Sequence, residues 1–293
     1  MKTHPASWRN RGARMWNGTL DVFARINSRT ALNVVPIPRG DASSGVDAEL
    51  RVLMNRLRAE AYDAERNTFD YARAASSDLY LRLRETAAQL IHFDPATLST
   101  EAEQLAFWIN LYNVLVMHGV IAFGIRKTVW EDWFFFRRAA YVIGGQRVSA
   151  DQIEHGILRR NRKPPYMPFP VFALDDPRAH WMLPRVDPRI HAALHCASRS
   201  CPPIAVYDAA NIYAQLDLAA RAFVNATTHL DLDRAVILLS PIFKWYAQDF
   251  GGRDGILEFV CGYWRDEAAA ARLWDARAEM RLVWTRYDWS LNG

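Results

Sequence analysis

The clearest periodicity in the chain begins at Ala48. In LRVLMNRLRAEAYD, Leu50, Leu53, Met54 and Leu57 fall on one stripe, the spacing of a helix with one buried face. SDLYLRLRETAAQLI, residues 77–91, predicts a second helix, and Asp94-Pro95 breaks the chain after it. Residues 105–123, LAFWINLYNVLVMHGVIAF, are apolar on every face and carry no formal charge. That length nearly spans a bilayer. Asn110, Asn113 and His118 interrupt it, however, and polar groups are expensive in lipid. The run therefore predicts the buried central helix of a folded domain, with no membrane insertion. Thr100 and Glu103 have capping-box spacing at its start, and Gly124 suits its C-terminal cap.

Beyond this helix the pattern changes. AYVIGGQRVS alternates around Gly144-Gly145 and predicts a hairpin. Ser149 and Gln152 repeat the capping-box spacing and open a helix near 150–160. Residues 161–186 have no sustained period and read as a long surface loop lining a cleft. Asp187-Pro188 starts a short helix that carries HAALHC. Asp208 caps a longer one, AANIYAQLDLAARAFVNA. RAVILLS reads as a short buried strand. Ser240-Pro241 starts the helix PIFKWYAQDF, and Gly251-Gly252 stops it. One or two helices follow over 253–278, and MRLVWTRYDW alternates like a strand. These elements predict residues 1–47 as an N-terminal extension and linker, and 48–293 as one helix-rich α+β domain with a small antiparallel sheet.

Composition narrows the functional classes. Hydrophobic residues at 51% and charged residues at 23% give an ordinary globular balance. The net charge of +4 is small and scattered, so no nucleic-acid surface is expected. The many aromatic rings read first as core. The opening MKTHPASWRNRGARMW lacks the apolar stretch of a signal peptide, so a cytoplasmic location is expected. A protein partner has residues 1–47 available to it. The three cysteines form no disulfide framework.

Chemistry concentrates in HAALHCASRSCPPI, residues 191–204. At the C-terminal end of the expected helix, Cys196 meets a dipole that opposes a thiolate. Cys201 lies past that helix with Arg199 two residues away, a setting that favours the reactive thiolate. Its own amide is available to an oxyanion. His191 and His195, four apart, share a helix face; with Cys196 and Cys201 they make a conceivable zinc set, though without the spacing of recognised zinc motifs. A Cys196–Cys201 disulfide is a minor alternative in a reducing compartment. His155 in QIEHGILR is a further base, but its neighbour Glu154 would not face it on a regular α-helix. His118 reads as a satisfied core histidine. Asn110 and Asn113 are either internal struts or a substrate clamp.

AFWINLYNVLVMHG, QIEHGILR, DPRIHAALHCASRSCPPI, SPIFKWYAQDFGG and YDWSLN occur in that order. Together they resemble the domain of unknown function 547 family, over about residues 50–293. The resemblance implies a fold similar to the papain-like and transglutaminase-like cysteine enzymes. With His before Cys it resembles the permuted members of that group. It implies Cys201 as nucleophile, His155 as base, and Glu154 or Asp288 as the orienting carboxylate. In this chain the block reads LHCASRSC where family members often have Asn and Gly, which puts a side-chain role for His195 in doubt.

The resulting expectation is a thiol-dependent hydrolase or acyl transferase acting on a small-molecule or peptide acyl substrate, without a cofactor. Arg199, Asn110 and Asn113 would position the substrate. Two alternatives stand beside it: a non-catalytic binding module of the same fold, and a metal-binding protein using His191, His195, Cys196 and Cys201.

Overall fold

A computed structural model of the chain describes residues 5–27, 30–34 and 45–293. The expected linker therefore lies partly outside the described residues. Helix α1 (Pro5–Phe23) precedes it, where the sequence shows little pattern. Its Asn17 donates to the Pro170 carbonyl at 2.9 Å, and Arg137 donates to Asp21 at 2.8 Å, so α1 lies against the domain. Asn33 is fully buried and bonds Val142 through both its amide oxygen and its amide nitrogen, which fixes residues 30–34 to the hairpin described below.

The striped helix is α2 (Val46–Ala61), which buries Leu50, Leu53, Met54 and Leu57 as the periodicity predicts. A small hairpin, β1 (Tyr62–Asp63) and β2 (Thr68–Phe69), and a single turn, α3 (Tyr71–Ala75), lead to α4 (Asp78–Gln89). The central helix is α5 (Glu101–Phe123), opened by a complete Thr100/Glu103 capping box and closed by Gly124 at φ 67°. It is long and apolar enough to cross a membrane by composition, and 89% of its most apolar window is buried inside the protein. His118 sits there with its Nδ1 2.8 Å from the Tyr141 hydroxyl, a satisfied core histidine as expected.

After a short α6 (Phe135–Arg138), strands β3 (Ala140–Ile143) and β4 (Gln146–Ser149) form the predicted antiparallel hairpin. Gly144 and Gly145 take φ 53° and 76°, the left-handed pair such a turn requires. The Ser149/Gln152 box is present in both directions: Ser149 N–H donates to Gln152 Oε1 and Gln152 N–H to Ser149 Oγ. What it opens is a π-helix over Gln152–Leu158, not the expected α-helix. Arg159 N–H reaches back to the Glu154 carbonyl and Asn161 N–H to Gly156, five residues each. The glycine permits this, since a Cβ at Gly156 would run into the buried Phe172 ring.

The second half forms its own core. Helix α7 (Ile212–Thr227) leads to β5 (His229–Asp231) and β6 (Val236–Leu239); α8 (Pro241–Trp245), α9 (Gly252–Tyr263) and α10 (Glu267–Asp275) precede β7 (Arg281–Trp284). β5 pairs with β6 antiparallel, and β7 joins β6 in parallel. The molecule is thus helix-rich α+β with small sheets, antiparallel but for that last pair.

One expected helix is missing. HAALHC does not continue as an α-helix: Pro188–Ala192 is a short 3-10 turn, and Ala197 takes φ 66°. Without a helix end beside it, Cys196 feels no opposing dipole, and that argument against it lapses. PIFKWYAQDF likewise stays helical only to Trp245.

Candidate active site

The two cores meet at a cavity of about 310 Å³. One group of its walls belongs to the α5 core, with Leu194 and Tyr112; another comes from the second core, with Ile242 and Tyr246 beside it. The π-helix and the residue just before it contribute Asp151, Glu154 and His155 to the lining. The loop after the 3-10 turn contributes His191, Cys196 and Cys201. The tail past β7 contributes Tyr287 and Trp289. That tail is held by bridges from Ser290 to Thr128 and from Leu291 to Ser198.

Cys201 is 5% exposed, and its sulfur is joined to Cys196 in a disulfide with Cα atoms 6.1 Å apart. The pairing set aside as minor is therefore the one present, because the loop turns back at Ala197 and Ser198. Polar hydrogens gather around Cys201. The Cys196 N–H donates to its Sγ at 3.0 Å, the Ser198 hydroxyl lies 3.3 Å away and the Tyr287 hydroxyl 3.2 Å. Burial pushes the Tyr287 phenol up to about 12, so it keeps its proton. The Cys201 N–H, expected to face an oxyanion, is instead used in a turn to the Ser198 carbonyl. Arg199 is exposed and lines a neighbouring groove, away from this cavity.

His155 and Glu154 both line the cavity, with Glu154 Oε1 3.7 Å from His155 Nδ1. Adjacent residues share a wall here because the helix is widened. Yet His155 Nδ1 accepts a hydrogen bond from Arg159 at 2.8 Å. Arginine only donates, so Nδ1 holds a lone pair and Nε2 carries the proton. Burial and the Arg159 charge hold the His155 pKa well below the usual range. His155 thus presents an N–H, not a base, toward Tyr166 and Asp151.

The other cavity histidine is His191. Its Nε2 lies 2.8 Å from the Asp249 carboxylate, which leaves the lone pair on Nδ1. The ring stacks on Tyr246 with centroids 4.0 Å apart. Burial lowers the His191 pKa, and Asp249 partly opposes that. Burial alone would raise Asp249, but hydrogen bonds from His191 and Arg159 hold it well below the usual carboxylate range. Arg162 also donates to it, at 2.8 Å. The signal in sequence was weak: Asp249 stands 58 residues from His191 in an otherwise unremarked YAQDF.

Two carboxylates complete the wall. Asp151 accepts from the Tyr166 hydroxyl and Glu154 from the Tyr246 hydroxyl, each at 2.6 Å. Burial raises the pKa of both.

The remaining predicted residues lie elsewhere. Asp288 is exposed and binds the Ser290 amide and hydroxyl, so it orients no histidine. Asn110 pairs with both backbone groups of Tyr207. Asn113 donates to the Ala193 carbonyl and accepts the His195 N–H. With their amides used on backbone, both are struts that pin loops to α5 and not substrate clamps. His195 is locked between the Pro202 carbonyl and Asn292. With both its ring nitrogens engaged and the cysteine sulfurs bonded to each other, the conceived zinc set does not assemble. Among the described residues no three His, Cys, Asp or Glu side chains come together to hold a metal ion.

No curated protein and no solved structure matches the chain, so neither comparison supports the expected papain-like relation. A family model does match, over a shorter span than the resemblance suggested. Over residues 95–224, which carry Asp151, Glu154, His155, His191, Cys196 and Cys201 but not Asp249, the chain matches the family described as Protein of unknown function, DUF547.

Proposed function

We propose that the chain is a thiol-dependent acyl hydrolase or acyl transferase whose reactive form has the Cys196–Cys201 pair reduced. The observation that carries the reading is one cavity holding Cys201, with its convergent donors, together with a histidine already paired to a buried carboxylate. Hydrogen bonds to sulfur favour its thiolate, which is the nucleophile. In the proposed reaction His191 Nδ1 takes the Cys201 proton, while Asp249 holds the ring and steadies its charge. Sulfur bonds to the acyl carbon and the carbonyl electrons move to oxygen, where the His155 Nε2–H donates. Collapse expels the leaving group, which takes the proton from His191. Water or an amine then releases the acyl group and restores the thiol.

Acylation of the reduced protein by p-nitrophenyl acetate, mapped by mass spectrometry, tests this. The expected product is an acetyl thioester at Cys201, absent from Cys201→Ser and from the oxidised protein. If reduced Cys201 reacts no faster than Cys261, the cysteine outside the disulfide, the reading fails.

The disulfide favours a second reading, thiol–disulfide exchange. An external thiolate would attack the less buried Cys196 sulfur, and Cys201 would leave as a thiolate into its ring of donors. Catalytic reduction of an added disulfide without any acyl adduct would select this reading over the first.

A further inference from the structure

The cavity lining has a charge balance that the acyl chemistry does not use. Asp151 and Glu154 both face the cavity, and no Lys or Arg side chain lines it among the described residues. Arg159 is engaged by Asp249 and by His155 Nδ1, with the Tyr246 ring packed over it. Both cavity histidines have pKa values lowered by burial and carry no compensating charge.

The Asp151 side chain is 7% exposed, and its Oδ1 accepts from Tyr166. Burying a carboxylate is costly, and a cation is the partner that offsets this most. The rest of the enclosure is aromatic. Trp130 and Trp289 meet edge to face at 5.1 Å, Trp289 stacks with Trp245 at 5.5 Å, and Tyr166 and Tyr246 line the same space. Ring faces attract cations, and ring edges and faces pack well on alkyl chains.

We propose that this cavity seats an aliphatic ammonium ion, a primary alkylamine in its protonated form. Asp151 and Glu154 hold the charged head, and Trp130, Trp245 and Trp289 enclose the chain. Binding needs nothing from the cysteines. The role of the bound amine as acyl acceptor does rest on the acyl-enzyme reading. In that role the ammonium gives a proton to Asp151 and its nitrogen attacks the acyl carbon on Cys201. The C–N bond forms, the C–S bond breaks, and the departing sulfur takes the second amine proton through His191.

The test is an NMR titration of the full chain with n-butylammonium chloride, against n-butanol as the uncharged isostere and sodium chloride as the ionic control. The expected result is at least ten-fold tighter binding of butylammonium than of butanol. Asp151→Asn and Glu154→Gln should bring the two together, and Cys201→Ser should leave the preference intact. Equal binding of the two probes, or a preference that survives both carboxylate substitutions, overturns the proposal.

A pH series on the unmodified chain gives an independent measure if either variant fails to fold. Asp151 faces Tyr166 and His155 and feels Arg137; Glu154 faces Tyr246, Tyr112, His155, Arg159 and Asp151. Protonating the carboxylates as pH falls should weaken butylammonium binding and leave butanol binding flat. A flat profile for both probes also overturns it. Loss of acylation in Cys201→Ser with the cation preference kept separates this proposal from the acyl reading.

Discussion

Arginine donates hydrogen bonds at every accessible pH, so the ring nitrogen that Arg159 faces must be a lone pair. That one contact assigns His155 a protonated Nε2, while the Asp249 contact assigns His191 a free Nδ1. The two histidines therefore predict different losses. In the reduced protein, His191→Gln should slow acylation of Cys201 by about 100-fold or more, the usual worth of a positioned base. His155→Gln keeps an N–H donor and should cost about ten-fold or less. The reverse ranking would return the base to His155. Alkylation of Cys201 against pH is the companion measurement. A thiolate fed by the Cys196 N–H, Ser198 and Tyr287 should react well below pH ~8.5, the free-thiol reference, and Tyr287→Phe should move the profile upward.

At the scale of elements, the π-helix matters most, because it brings Glu154 and His155 into the cavity lining beside Asp151. Gly156→Ala presses a methyl into Phe172 and should destabilise the fold by about 1–3 kcal/mol, the usual cost of overpacking. The cavity should lose its geometry with it, read as a fall in Cys201 acylation beyond the loss in stability. Asn113→Ala would leave the His195 N–H and the Ala193 carbonyl without partners inside the protein. Urea unfolding should show a loss of about 1–3 kcal/mol. The regular elements were legible because their signals are local: the α2 stripe, the Thr100/Glu103 box and the Gly144-Gly145 turn each lie within a few residues. The π-helix was not, since its widening depends on Phe172 packing against a glycine sixteen residues earlier in the chain.

For the whole molecule, buried neutral histidines set how stability follows pH. Burial pushes His118 and His195 from 6.5 to about 4. Between those values the unfolded chain binds protons that the folded chain refuses, so stability falls as pH drops from 6.5 toward 4. Each group contributes up to about 3 kcal/mol across that window. Urea midpoints measured from pH 7 to pH 4 should decline steeply, and His118→Gln should flatten part of the decline. The raised carboxyls of Asp151 and Glu154 act in the opposite sense, favouring the folded state while they hold protons. A midpoint unchanged down to pH 4 would contradict the burial of both histidines.

By itself the sequence determined the central apolar helix, the hairpin, the helix-rich α+β class and the clustering of His and Cys residues in 191–204. Periodicity, caps and turn glycines are short-range, and burial of a 19-residue uncharged run leaves few architectures to choose from. Only the tertiary structure decided which groups meet. It joined Cys196 to Cys201, turned Asn110 and Asn113 onto backbone, sent Asp288 to the surface and brought Asp249 to His191. The His191–Asp249, Asn110–Tyr207 and Asn113–Ala193 contacts join residues 58 or more apart in the chain, and no local spacing encodes them.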